Sequence, residues 1–167
     1  MEREISKPSP PLLGALEMFT EESIAVNVTV ENWEEAVRTA GQLLVKSGAA
    51  EPRYIDAMIK TAKELGPYIV LMPGVAMPHA RPEEGAIQEG FSLVTLRKPV
   101  YFGNPDNDPV KVVIAFCAPD SSKHIESLAW LAKTLEREDF LDHINHCTSA
   151  QQILELFQGA AKGKTVC

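Results

Sequence analysis

The chain has 167 residues, of which 45% are hydrophobic and 23% are charged, and this composition is typical of one soluble globular domain. Its formal net charge is −7 and it has no basic stripe of the kind that meets nucleic-acid phosphates, so nucleic-acid binding is not expected. No apolar run approaches the roughly 20 residues needed to cross a bilayer, so direct membrane insertion is not expected either.

The ends of the chain and its cysteines bear on domain organisation and compartment. Residues 1–11 are rich in proline and lack the apolar core of a secretory signal, so we expect a flexible N-terminal arm followed by one domain over 12–167. Cys117, Cys147 and Cys167 are an odd number without CxxC spacing. This cysteine usage favours a reducing, cytoplasmic location over a disulfide framework.

The first half of the chain predicts a strand between helices. A short helix can form over 12–19, and apolar residues alternate with other residues over 24–30, which indicates a strand. Asn32 followed three residues later by Glu35 is a capping-box pattern at the start of a helix, which Gly48 can end. The sequence therefore predicts one helical turn, a strand and a long helix in this order.

The rest of the chain continues with one more helix, three strands and three helices. The helix runs from Pro52 to Gly66, and the final helix has a predicted cap at Thr148 with Gln151. The other predicted ranges are strands at 68–72, 91–96 and 110–116, a helix from Asp120–Ser122 to about Leu135, a helix at 139–146, and a helix from Thr148 to Gly159. The order β-α-α-β-β-β-α-α-α predicts a single domain of the α/β or α+β class, with a mixed β-sheet flanked by helices.

His79 is the first candidate for chemistry, because it lies between Pro78 and Pro82 directly after the apolar run 68–72. The prolines restrict the backbone on both sides, which would hold an imidazole nitrogen in one direction. Loops that follow buried strands often carry reactive groups. The alternative is a histidine in a turn whose prolines only terminate the strand.

Two further residues can be read in two ways. His124 falls in the predicted first turn of a helix, where backbone N–H groups favour an anion such as a phosphoryl group, or it is simply a surface histidine. Arg81 can place its guanidinium on phosphate oxygens, or it can form a local ion pair with Glu83 and Glu84.

A metal site is less well supported by the sequence. His143 and His146 are three residues apart on one predicted helix face, beside Cys147, but further ligands and an HExxH glutamate are not evident. The chain also lacks the glycine patterns GxGxxG and GxxxxGK[ST] of common nucleotide cradles. We therefore expect no metal and no nucleotide cofactor, and a partly exposed helix face explains the histidine pair.

The run Gly74-Val75-Ala76-Met77-Pro78-His79 resembles the signature of the enzyme IIA family of the bacterial phosphoenolpyruvate-dependent sugar phosphotransferase system, of the mannitol–fructose type. The stretch "HIESLAWLAKTL" from His124 is similar to the second histidine segment of that family. The segments "GPY", "RPEEGA" and "NDPV" look most like the ascorbate-specific branch. The resemblance covers roughly residues 12–160.

This resemblance implies the mannitol-type enzyme IIA fold and a phosphotransferase reaction. The carrier HPr would give its phosphoryl group to His79, forming a tele-phosphohistidine, and His79 would pass it to a cysteine of the IIB component. The membrane IIC component would then take part indirectly in sugar uptake. The resemblance also implies that His124 donates a hydrogen bond to the phosphoryl group.

Two departures from the family pattern concern charge and space. Ala80 follows His79 where many relatives have glycine, and Thr61 aligns with an arginine of mannitol-type relatives. Charge stabilisation would then come from elsewhere, and Arg81 is the candidate.

Two other functions stay open from the sequence: a regulatory protein of the same fold whose phosphorylation state controls a binding partner, and a metal-dependent hydrolase that uses the four histidines.

Overall fold

The computed structural model describes residues 19–120 and 125–161. Within these residues the chain forms five β-strands and five α-helices. In chain order they are β1 (Ile24–Val28), α1 (Trp33–Lys46), α2 (Arg53–Leu65), β2 (Val70–Met72), β3 (Val75–Ala76), β4 (Gly90–Val100), β5 (Val110–Cys117), α3 (Ile125–Leu135), α4 (Phe140–His146) and α5 (Ala150–Ala161). The predicted arm over 1–11 lies outside the described residues, as does almost all of the helix predicted over 12–19.

The five strands form one mixed sheet in the order β1-β4-β5-β3-β2. The central pair, β4 and β5, is antiparallel, whereas β1 lies parallel to β4 and β3 lies parallel to β5. Helices cover both faces of this sheet, because alternate residues of the central strands point to opposite sides. The predicted architecture, one mixed sheet flanked by helices in a single domain, is confirmed.

The two faces of β4 and β5 belong to two separate apolar clusters. Val94 and Val113 pack with the buried residues of α1 and α2, such as Leu44. Leu93 and Ile114 pack with buried residues of α3, α4 and α5 on the other face. Each fully buried aliphatic side chain of this kind contributes roughly 1.5–3 kcal/mol to the stability of the fold. The sheet is therefore held from both sides by apolar burial.

The capping predictions hold at one helix and need a correction at another. Asn32 caps α1, since its side-chain oxygen accepts a hydrogen bond from the backbone N–H of Glu35 at 2.9 Å. The predicted cap of the last helix is one residue too early: Ser149 Oγ, not Thr148, accepts the N–H of Gln152 at 3.2 Å. Both residues are good caps by type, so the sequence pattern does not choose between them.

The strands differ from the predicted ranges. The first ends at Val28 rather than at residue 30, and β4 extends to Val100 rather than ending at residue 96. Two further differences lie between residues 66 and 76. The run 68–72 begins in a 3-10 turn over Gly66–Ile69 and becomes a strand only at Val70–Met72. The two-residue strand β3 was not predicted, because Val75 and Ala76 are too few to show a period. Pairing with both β2 and β5 makes these two residues a strand.

None of the helices in the described part of the chain is both long enough and apolar enough to cross a membrane.

Gly90, the first residue of β4, pairs with Cys117 at the end of β5 and leaves no room for a side chain. A Cβ atom on Gly90 would lie 2.5 Å from the Cβ of Ala49. We expect Gly90→Ala to lower the free energy of unfolding by about 1–3 kcal/mol, because the backbone must move to relieve the contact. Urea unfolding followed by circular dichroism measures the change.

Gly159→Ala is the matched control, since a Cβ atom there meets nothing within 4 Å and the residue lies in α5. Removing a helical glycine should stabilise the protein by up to about 1 kcal/mol. Equal effects of the two substitutions would contradict the close approach at Gly90.

Candidate active site

The loop that carries His79 leaves the sheet at the end of β3. The parallel strand β5 ends beside it at Cys117, so the two chain segments emerge from the same edge of the sheet. Met77 and Pro78 are buried, whereas His79 is half-buried and lines an open cleft. His79 lies in a loop as predicted, but this loop follows β3 and not the predicted strand 68–72.

The imidazole of His79 is fixed by a ring contact and a hydrogen bond. Its ring stacks on the ring of Phe116, with the centroids 4.7 Å apart and the planes inclined by 20°. Its Nδ1 lies 3.1 Å from the carbonyl oxygen of Met77. Because a carbonyl oxygen only accepts, this contact requires a proton on Nδ1, and in the neutral ring the lone pair is then on Nε2. The arrangement selects one tautomer.

The backbone on both sides of His79 is also bonded. The N–H of Met77 donates to the carbonyl oxygen of Ile69 at 2.8 Å, and the N–H of Phe116 donates to the carbonyl oxygen of Pro78 at 3.3 Å. The N–H of Ala80 donates to the hydroxyl of Tyr54 at 3.0 Å. The loop is thus held at Met77 and Pro78 before the histidine and at Ala80 after it.

Tyr54, in α2, is a residue of this site that the sequence analysis does not predict. It is 1% exposed, and its hydroxyl lies 3.0 Å from the carbonyl oxygen of Phe116 and 3.1 Å from that of Ala80. Burial raises the pKa of Tyr54 well above its usual range, so the hydroxyl stays protonated. A buried tyrosine needs a partner for its hydroxyl, and this was the available signal.

The cleft beside His79 has a volume of about 630 Å³ and carries charges of both signs. Its polar wall consists of α2 residues and of the loop after His79. The charged and hydroxyl side chains that line it are Tyr54, Lys60, Thr61, Glu64, Arg81 and Glu84. Such a wall can bind a protein surface that carries charges of both signs, and its cationic residues, Lys60 and Arg81, can bind an anion.

The structure brings together two of the three site residues predicted from the sequence. His79 and Arg81 line the same cleft, and Arg81 is exposed. The ion pairs found in the described ranges do not include one from Arg81 to Glu83 or Glu84, which was the alternative interpretation of this arginine. Thr61 also lines the cleft. His124 lies outside the described residues.

The histidines of α4 do not line the cleft. The Nδ1 of His143 lies 2.6 Å from the carbonyl oxygen of Asp139, and that of His146 lies 2.7 Å from the carbonyl oxygen of Asp142. Each histidine therefore caps a carbonyl of its own helical turn. In the part of the chain that the structure describes, no group of three or more His, Cys, Asp or Glu side chains is arranged to hold a metal ion.

The chain resembles known proteins in sequence and in fold. Residues 17–160 match the family described as phosphoenolpyruvate-dependent sugar phosphotransferase system, EIIA 2. The ascorbate-specific PTS system EIIA component of Escherichia coli K12 is 42% identical over 135 residues, which cover 80% of this chain and 88% of that protein.

Two solved structures share the fold. The mannitol-specific cryptic phosphotransferase enzyme IIA CmtB of Escherichia coli is 35% identical, with a TM-score of 0.76 over 86% of this chain and 97% of that one. Enzyme IIA of the Escherichia coli mannitol system, solved in complex with phosphorylated enzyme IIB, is 31% identical, with a TM-score of 0.75 over 84% and 97% of the two chains.

The sheet, the helices on both its faces and the histidine in a fixed loop at one sheet edge place this domain among phosphotransfer proteins of that architecture. The chain belongs to the EIIA type 2 family of the phosphoenolpyruvate-dependent sugar phosphotransferase system. It is therefore a phosphotransfer component of a sugar phosphotransferase system.

Cys117, at the end of β5, also lines the cleft but is buried. Its Sγ lies 3.4 Å from the carbonyl oxygens of both Ala49 and Gln88, and burial raises the pKa of the Cys117 thiol from 9.0 to about 12. Cys117 is therefore a core residue at the end of a strand.

This thiol makes the stability depend on alkaline pH. Between about pH 9 and pH 12 the unfolded chain releases a proton that the folded thiol keeps, so the free energy of unfolding falls as the pH rises. We expect Cys117→Ala to make this fall shallower, while the contribution of the buried Tyr54 remains in both proteins. Urea unfolding at pH 8, 9 and 10 compares the two slopes, and identical slopes would contradict the buried, protonated thiol.

Proposed function

We propose that this protein is a cytoplasmic phosphocarrier that accepts a phosphoryl group from phospho-HPr on Nε2 of His79. It then passes the group to a cysteine of its IIB component and so supports sugar uptake. The observation that carries the proposal is the contact of His79 Nδ1 with the carbonyl oxygen of Met77, which leaves the Nε2 lone pair for the cleft.

The two transfers are displacements at phosphorus. The Nε2 lone pair attacks the phosphorus of phospho-HPr, the donor P–N bond breaks, and its electron pair returns to the donor histidine. The ring of His79 then carries a positive charge, which the Met77 carbonyl oxygen stabilises through Nδ1–H. In the second step a thiolate of IIB attacks the phosphorus, and the P–Nε2 bond breaks. No metal or nucleotide takes part in this scheme.

The rigid surroundings of His79 support such a role. Phosphoryl transfer depends on in-line placement of the reacting atoms more than on covalent help from the protein. The stack on Phe116 and the bond to Met77 fix the imidazole, and the backbone bonds of Pro78 and Ala80 fix the loop. An imidazole that is already oriented loses little entropy when a partner docks.

Charge stabilisation falls to Arg81 and His124 in this proposal. Arg81 lines the cleft with its guanidinium exposed, and a guanidinium can place two N–H groups on phosphoryl oxygens. Thr61 has no charge to offer at the position where mannitol-type relatives have arginine. His124 enters from the family resemblance, which assigns it a hydrogen bond to the phosphoryl group.

The partners and the sugar come from the relatives. The most similar curated relative reported above is ascorbate-specific, and the mannitol IIA protein was solved with a phosphorylated IIB. We therefore propose ascorbate as the transported sugar and a IIB protein as the acceptor, with the IIC component in the membrane acting downstream. Buried, unpaired Cys117 and Cys147 are consistent with the cytoplasm.

His79→Ala should abolish phosphorylation. The protein is incubated with phosphoenolpyruvate, enzyme I and HPr, and its intact mass is measured. The wild type should gain one acid-labile phosphoryl group, whereas the variant should gain none because the nucleophile is gone. His143→Ala, which removes a histidine from outside the cleft, is the matched control and should still be modified. Equal modification of His79→Ala and the wild type would refute the assignment.

Adding purified IIB to the phosphorylated protein separates a carrier from a regulator. A carrier loses its phosphoryl group to a cysteine of IIB, and the mass of IIB increases. A regulatory protein would be charged by HPr and would keep the group.

Substitutions at His124 and Arg81 should slow transfer without preventing it. We expect His124→Ala and Arg81→Gln each to lower the rate of phosphorylation by about tenfold or more, in line with the loss of one charge-stabilising donor. Rapid quenching of the reaction with phospho-HPr measures the rates. Arg38→Gln is the control, because Arg38 pairs with Asp56 and does not line the cleft. Wild-type rates in either variant would remove that residue from the mechanism.

A further inference from the structure

The hydroxyl of Tyr54 lies where the histidine loop and the end of β5 meet. It contacts the backbone of Ala80, the residue after His79, and the backbone of Phe116, whose ring stacks on the His79 imidazole. We propose that Tyr54 is a positioning residue for phosphoryl transfer: its hydroxyl joins these two backbone segments and so keeps Nε2 of His79 directed into the cleft.

The Tyr54 hydroxyl both accepts and donates a hydrogen bond at this site, so no apolar side chain can take its place. A tyrosine hydroxyl has one proton to donate and can also accept. It accepts the Ala80 N–H at 3.0 Å, and its own proton serves the carbonyl oxygen of Phe116 at 3.0 Å or that of Ala80 at 3.1 Å. Since Tyr54 is 1% exposed, water has little access to take over these bonds. Its loss would leave the Ala80 N–H without this partner.

On both sides of His79 the loop is hydrogen-bonded to the backbone of Phe116, directly on one side and through Tyr54 on the other. On its N-terminal side, the carbonyl oxygen of Pro78 accepts the N–H of Phe116. On its C-terminal side, the Tyr54 hydroxyl joins Ala80 to the carbonyl oxygen of Phe116. Without that hydroxyl the loop keeps its backbone bonds at Met77 and Pro78 but loses this attachment at Ala80. The His79 ring is then held by its stack on Phe116 and by the Nδ1 contact, and it gains freedom to turn away from the Met77 carbonyl oxygen.

The ring of Tyr54 has a separate role from its hydroxyl. The ring is part of the apolar cluster between α1, α2 and the sheet, and a phenylalanine keeps the same ring. Tyr54→Phe therefore removes the hydrogen bonds and preserves most of the packing. The hydroxyl also stays protonated over the range in which histidines titrate, because burial raises the pKa of Tyr54. It can then both donate and accept throughout this range.

The test compares Tyr54→Phe with Tyr101→Phe, which removes a hydroxyl from an exposed tyrosine outside the cleft. With phospho-HPr as the donor, we expect Tyr54→Phe to lower kcat about tenfold or more and to leave KM within about twofold, since docking is unchanged and orientation is lost. Nitrogen-15 spectra of His79 should show the fixed Nδ1–H tautomer in the wild type and in Tyr101→Phe, and an average of both tautomers in Tyr54→Phe.

The same kcat and the same His79 spectrum in both variants would overturn the proposal. A rise in KM alone would also overturn it, because Tyr54 would then act on docking. If Tyr54→Phe does not fold, amide hydrogen exchange in the wild type decides. The Ala80 N–H should exchange at least a hundredfold more slowly than an unstructured amide, and unprotected exchange would refute the bond to Tyr54.

The kinetic part of this inference rests on the proposed function of His79, whereas the spectroscopic part does not. If His79→Ala were still phosphorylated, the proposed function would fail. The tautomer of His79 in Tyr54→Phe would even then show whether Tyr54 orients the ring.

Discussion

The antiparallel pairing of β4 with β5 is the interaction on which the geometry of the site depends. Paired residues run from Val100 with Val110 to Gly90 with Cys117, and the parallel strand β3 is added to the free side of β5. This ladder sets where β5 ends, and so places the Phe116 ring against His79. Because the two faces of the pair belong to two apolar clusters, packing from both sides maintains that position.

Much of the fold can be predicted from local patterns in the sequence, because helix caps and apolar periodicity depend on residues that are close together in the chain. The cap at Asn32 depends on neighbours within a few residues, and it is present as predicted. The two-residue strand β3 depends instead on partners far along the chain, so no local period reports it. The cap of α5 shifted by one residue because Thr148 and Ser149 are both suitable.

The residues of the candidate site also differ in whether the local sequence can predict them. The prolines around His79 and the resemblance to a phosphotransfer family make His79 a candidate from the sequence alone, since a stiff loop is visible there. Tyr54 could not be assigned to the site, because its partners at Ala80 and Phe116 are 26 and 62 residues away. A tyrosine in an otherwise apolar helix face indicates that its hydroxyl needs a partner, but the sequence does not say which one. Arg81 lines the same cleft as His79, which the sequence alone does not show.

The buried thiol of Cys117 has a consequence for the direction of transfer. A carrier that gives its phosphoryl group to a cysteine on another protein must not give it to its own. Cys117 belongs to the wall of the cleft, yet its Sγ lies within hydrogen-bonding distance of two carbonyl oxygens, and its high pKa keeps it from being a thiolate near neutral pH. Among the residues that the structure describes, Cys117 is the one thiol that lines this cleft. In the proposed function its protonated state leaves the phosphoryl group of His79 to an acceptor that arrives from solution.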